Sequence, residues 1–228
     1  MLTSPEQIFS LQQELPTPQT EAEIQQMAQV QALHEKIKLL LSLNHNFPES
    51  ELHVIFELKP SLLGNAHASM IYGSILMVLG EANAQNDLMT ELIHLHGPRS
   101  PFYLSRSLAL ARLDRIEEAL DDLQVVIAAG VRHYEIYMQA ARWKNRLKDF
   151  RGAIAMANLA IYENVLEYVE PFVLMAQCFE QCGELNRMFE CFSRVEKFQN
   201  QAALDREFGD LYGRHRAMYD QVKGMIRS

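Results

Sequence analysis

The chain has 228 residues, 48% of them apolar and 22% charged, enough to bury a substantial core as one elongated domain or two small ones. A net charge of −8 and a pI near 5.5 argue against a binder of duplex nucleic acid, which needs a basic stripe. No apolar run reaches the roughly 18 residues of a membrane span, and the N-terminus lacks the basic and apolar regions of a secretory signal.

The first 35 residues contain no Lys or Arg. Ser4-Pro5-Glu6-Gln7 has the form of a helix start, with Ser as cap and Pro at the first helical position, and predicts a short helix to about Gln13. Pro16-Thr17-Pro18 ends it. Thr20-Glu21-Ala22-Glu23 is a second capping box and opens a helix to about Leu43. Its apolar residues Ile24, Met27, Val30, Leu33, Ile37, Leu40 and Leu41 fall at helical spacing. That face packs on the first repeat described below or, alternatively, pairs with a second copy of the chain as a homodimer. A turn over Asn44 to Pro48 and a short helix from Glu49 to about Leu58 complete an N-terminal extension, residues 1–65.

From Ser100 the sequence repeats. Segments beginning at Ser100, Tyr134 and Val169 place Ser107, Ala141 and Ala176 at the eighth position. Positions fifteen to seventeen read Asp114-Arg115-Ile116, Lys148-Asp149-Phe150 and Gly183-Glu184-Leu185, a polar turn followed by an apolar anchor. Position twenty holds Ala119, Ala153 and Met188; position twenty-seven holds Val126, Ala160 and Val195. Spacings of 34 and then 35 residues mark stacked helical hairpins. The segment from Ala66 is in phase, with Gly73 at position eight and Gly80 at fifteen, but Gln85 fills the small-residue position, so 66–99 reads as a degenerate repeat. Gly97-Pro98-Arg99-Ser100-Pro101 punctuates the junction, with Ser100 expected as helix cap. After the three clear repeats of 100–202, a single helix from about Ala203 to Met225 (region 203–228) is expected to cap the array. Leu204, Phe208, Leu211, Tyr212, Met218, Tyr219 and Val222 form its packed side. The fold class is therefore all-α, a helical-hairpin repeat solenoid.

The stretch Leu110-Ala111-Arg112-Leu113-Asp114-Arg115-Ile116-Glu117-Glu118-Ala119-Leu120 carries a family likeness: it resembles the turn of the tetratricopeptide repeat. Small residues at positions eight and twenty let two helices approach closely. Larger ones (Tyr103, Leu110, Leu123, Tyr137, Phe150, Phe172, Phe179, Phe192) fill the space between hairpins. The resemblance implies a concave groove lined by the first helix of each hairpin. Carried onto this sequence, it implies an apolar strip through Leu104, Leu108, Met138, Val173 and Leu174, flanked by Arg112, Arg142 and Arg146, with Gln177 beside it. The Lys and Asn with which some members grip a C-terminal carboxylate are replaced here by Leu104 and Leu108, Met138 and Arg142, and Val173 and Gln177. An apolar extended or helical segment is the implied ligand, or else a helix of this same chain.

Chemistry-bearing motifs are not found. No phosphate loop, nucleophile elbow or paired-histidine zinc helix occurs. His94 and His96 stand two apart on a helix and point to different faces. Cys178, Cys182 and Cys191 all fall in the last repeat, an odd count that predicts reduced thiols in a cytoplasmic setting. Glu117, Glu118, Asp121 and Asp122 read as a solvated surface. The expectation is a non-enzymatic adaptor or scaffold that binds a protein or peptide segment, with no cofactor, metal or nucleic acid. Two alternatives stand beside it. One is a chaperone of secreted substrates, since repeats, acidic pI and N-terminal helix resemble the type III secretion class. The other is a structural subunit of a large assembly.

Overall fold

The computed structural model describes residues 15, 18, 20–42, 55, 57–163, 169–199 and 202–227. The expected short helix at Ser4–Gln13, the turn at Asn44–Pro48 and most of Glu49–Leu58 lie outside them. Two compact units divide at 131/132.

In the first unit, α1 (Glu21–Ser42) opens on the expected capping box. The Thr20 N–H donates to Glu23 Oε2 at 3.0 Å, and the Glu23 N–H donates to Thr20 Oγ1 at 3.1 Å. A single turn, α2 (Lys59–Leu62), leads into α3 (Ala66–Leu79), and α4 (Ala82–His96) closes that hairpin. The next hairpin is α5 (Ser100–Arg112) with α6 (Ile116–Ala128). Helix α1 packs on α3, which is buried along almost its whole length. Val30 and Ile37 of α1 are buried, whereas Ile24, expected on the same face, is half exposed.

The segment 66–99 therefore folds as a hairpin, and its two departures from the repeat pattern have a physical account. A Cβ on Gly73 would stand 2.6 Å from Met89 Cε, so the flexible end of the Met89 side chain on α4 fills the space that a side chain at 73 would take. Gln85 is fully buried where Ala stands in the next two repeats, and its Nε2 donates to the Ser105 carbonyl and hydroxyl at 3.1 and 3.0 Å. Ser100, expected as cap, is instead the first helical residue of α5; Arg99 occupies the cap position without a side-chain capping bond, its Nε donating to the His96 carbonyl at 3.3 Å.

In the second unit, α7 (Tyr134–Arg146) pairs with α8 (Phe150–Glu163) and α9 (Glu170–Gln181) with α10 (Leu185–Gln199). The C-terminal region is two helices, not one: α11 (Ala202–Phe208) and α12 (Asp210–Arg227) are separated by Gly209 at φ +48°. The break lets Phe208, Tyr212 and Tyr219 converge on Phe192, with ring centroids 4.6, 5.5 and 5.6 Å away. Leu204, Phe208, Leu211, Tyr212 and Tyr219 are buried as expected. Met218 is not; it faces outward and is exposed.

Candidate partner-binding face

The fifteenth position shows how strictly the period is kept. Gly80, Asp114, Lys148 and Gly183 sit at φ +84°, +64°, +63° and +73°, so the same left-handed turn closes the first helix of every hairpin. Positions eight, twenty and twenty-seven are buried throughout: Gly73, Ser107, Ala141 and Ala176; Gln85, Ala119, Ala153 and Met188; Leu92, Val126, Ala160 and Val195. This register fixes which side chains of each first helix share a face.

The expected apolar strip is not exposed. Leu104 and Leu108 are 1% accessible, Met138 0% and Leu174 8%, while Val173 is half-buried. These side chains pack; burial of roughly 1.5–3 kcal/mol each makes them contributors to stability instead of a docking surface. Arg112 is committed as well, because its Nη1 donates to the Met77 carbonyl of α3, and burial lowers its pKa.

The exposed residues of α7 and α9 are polar. Arg142 lies between α7 and α9 and donates from Nε and Nη2 to Glu170 Oε1 at 2.9 and 2.6 Å, and from Nη1 to Gln139 Oε1 at 3.1 Å. One turn further along α7, Asn145 accepts a weak bond from the Cys178 thiol at 3.4 Å. Arg146 and Gln177 are exposed on the same two helices. At the end of α9, Glu180 receives Arg214 Nη2 at 2.9 and 3.0 Å and pairs with His215 Nε2 at 2.8 Å, both from α12. Burial opposes ionisation of Glu180, but these two donors prevail and hold its carboxyl below the usual range. Of the predicted residues, then, Arg142, Arg146 and Gln177 lie on α7 and α9, and the repeat register assigns Gln139 and Glu170 to the same groove positions; that these two hold Arg142 is shown only by the structure. In the register, Glu170 is at position two, one hairpin on from Arg142 at position nine.

Burial raises the thiol of Cys178 to about 11 and that of Cys191 to about 12, so both stay protonated near neutrality. All three cysteines are unpaired by disulfide, with Cys182 half-buried. No group of three potential metal ligands occurs among the described residues, and no helix there is long and apolar enough to cross a membrane. In the first unit, the acidic run on α6 is not uniformly solvated. Asp122 is 5% accessible and takes a two-pronged bond from Arg106, both contacts 2.7 Å, and Arg106 also reaches Thr90 Oγ1 at 3.3 Å.

Paired helices of similar length, the first of each pair closed by the same left-handed turn, define a tetratricopeptide-like helical-repeat fold. Solved structures with this fold bear that out. MamA superposes with a TM-score of 0.64 at 13% identity, over 78% of this chain and 94% of that one. A tetratricopeptide repeat protein from Parabacteroides merdae gives 0.62 at 17% identity, over 90% and 80%. YrrB, described as a TPR protein with an unusual peptide-binding site, gives 0.58 at 14% identity, over 71% and 84%. No protein-family model matches the sequence, and no curated protein matches it.

Proposed function

We propose that the protein is an interaction adaptor without chemistry of its own, and that residues 132–228 hold a protein or peptide segment against the polar face of α7 and α9. The observation that carries this reading is Arg142, fixed by Glu170 and Gln139 beside the exposed Arg146 and Gln177. A pre-oriented guanidinium with amide neighbours suits the backbone carbonyls or carboxylates of an extended segment. The similarity in fold to YrrB supports a peptide as the ligand class. The face is polar, so the ligand differs from the apolar segment that the sequence implied.

The test is site-specific photo-crosslinking in native lysate. A crosslinker at Gln177 should give discrete protein adducts that disappear with Arg142→Glu/Arg146→Glu. The same crosslinker at Gln124, exposed on α6, should not give them. Identical adducts from both positions, or adducts indifferent to the arginines, would discard the face.

A further inference from the structure

We propose that the exposed face of α6 in the first unit is a second docking site, which takes a basic segment and seats one large apolar side chain of it in a cavity at the C-terminal end of that helix. The cavity makes the site. It measures about 210 Å³ and is lined by Pro98, Arg99, Ser100, Tyr103, Val125 and Ala129. The loop after α4, the first turn of α5 and the end of α6 form its walls. Val125 is 42% accessible, and Pro98 and Ala129 are exposed, so it opens to solvent. An apolar cavity of roughly 150 Å³ accepts a benzene ring, so this one has room for a single aromatic or branched aliphatic side chain. Of its lining residues only Arg99 is charged, and its Nε donates to the His96 carbonyl at 3.3 Å. Leu95, in the last turn of α4, is a further exposed apolar side chain just ahead of Pro98 in the chain.

The rest of α6 selects the occupant. Its exposed side chains follow helical spacing, Glu117, Asp121, Gln124 with Val125, then Ala128, so one stripe runs from two carboxylates to the Val125 wall of the cavity. The other two acids of this helix are committed: Glu118 pairs with Arg115, and Asp122 with Arg106. Glu117 and Asp121 have no cationic partner among the described residues. Asp121 stands one turn, about 6 Å, from Val125. A lysine or arginine close in sequence to the anchored side chain reaches it. The first unit, with seven Lys and Arg against sixteen Asp and Glu, draws in a basic segment and repels an acidic one. This site shares no residue with the face of α7 and α9, so either can fail without the other.

The probes are fluorescein-labelled Lys-rich peptides, alike except for a central Ala, Leu, Phe or Trp, with a Glu-rich copy of the tightest. They are titrated into the full chain at low ionic strength, where surface charges are least screened. The best apolar centre should bind roughly tenfold tighter than Ala, and the Glu-rich copy should not bind. Ala129→Leu, which fills the cavity from its wall, should erase the difference between centres and keep the weak charge-driven binding. Should that variant not fold by circular dichroism, Val125→Gln makes the same test. Glu117→Lys/Asp121→Lys should weaken every Lys-rich peptide by roughly fivefold. Arg142→Glu/Arg146→Glu should leave the preference for an apolar centre in place. The proposal is overturned if the central residue makes no difference, if the cavity variant keeps the full preference, or if the charge reversals do not weaken binding. Size-exclusion chromatography without peptide adds one more decisive outcome. An assembly of the wild-type chain that Ala129→Leu dissolves would make a second copy the occupant and overturn the basic segment.

Discussion

Asp114 and Lys148 adopt a left-handed backbone that costs an L-residue about 1–2 kcal/mol, and glycine stands at the same position in the flanking repeats. Lys148→Gly should therefore leave stability equal or raise it by up to about 1 kcal/mol, the strain relieved being partly offset by the greater freedom of the unfolded glycine. Gly183→Ala, where nothing lies within 4 Å of the new methyl, should lower it by about 1–2 kcal/mol through strain alone. Urea midpoints of the two variants check the pair, and opposite signs are not expected to reverse. A second residue-scale contrast lies in the C-terminal aromatic cluster. The Tyr212 hydroxyl is buried with no hydrogen-bond partner among the described residues, whereas that of Tyr219 donates to Glu196 Oε2 at 2.8 Å. Tyr212→Phe should be neutral or stabilising, and Tyr219→Phe should cost about 1 kcal/mol, since it deletes a made bond. Thermal melts distinguish them.

At the scale of elements, the bonds that hold one helix to the next are the ones a periodic reading does not supply. Asp122 of α6 and Arg106 of α5 tie the two helices of a hairpin with two short charge-assisted bonds at a nearly dry site. Asp122→Ala leaves the guanidinium half-buried without its carboxylate and should cost about 2–3 kcal/mol. Glu118→Ala, on the exposed turn of the same helix, should change little. Chemical denaturation of both variants measures the difference. Leu108→Glu and Met138→Glu belong to this scale too. Buried as they are, they test the packing of α5 and α7, and a loss of partner binding in either would report unfolding instead of a contact.

For the whole molecule, charge is unevenly placed. Residues 1–131 carry seven Lys and Arg against sixteen Asp and Glu, and residues 132–228 carry fourteen against thirteen, so the first unit stands at −9 and the second at +1. An arginine-bearing face in the nearly neutral unit is accordingly not overwhelmed by its own acidic surroundings. The second unit also ends its own array. Phe189 and Phe192 would face water without α11 and α12, so deletion of 203–228 should produce a chain that binds hydrophobic dyes and self-associates in size-exclusion chromatography. A monomeric, dye-silent truncation would show that the cap is dispensable.

The sequence by itself determined the repeat: small residues recur where two backbones must approach, and a polar turn recurs where the chain reverses. Both are local demands that leave a fixed mark every 34 or 35 residues. It also determined the start of α1, because a capping box is complete within four residues. Tertiary structure decided which inward-facing residues remain accessible, since Leu104, Leu108 and Met138 have the same periodic place whether or not something covers them. It likewise decided that Asp122 is buried and Asp121 is not, although the two adjoin. The ion pair with Arg106 spans sixteen residues and two helices, a distance over which the spacing of residue types carries no signal. The C-terminal break at Gly209 belongs to the same class. A glycine inside a helical pattern is tolerated in isolation, and here it turns because Phe208 and Tyr212 gain a shared aromatic partner in Phe192.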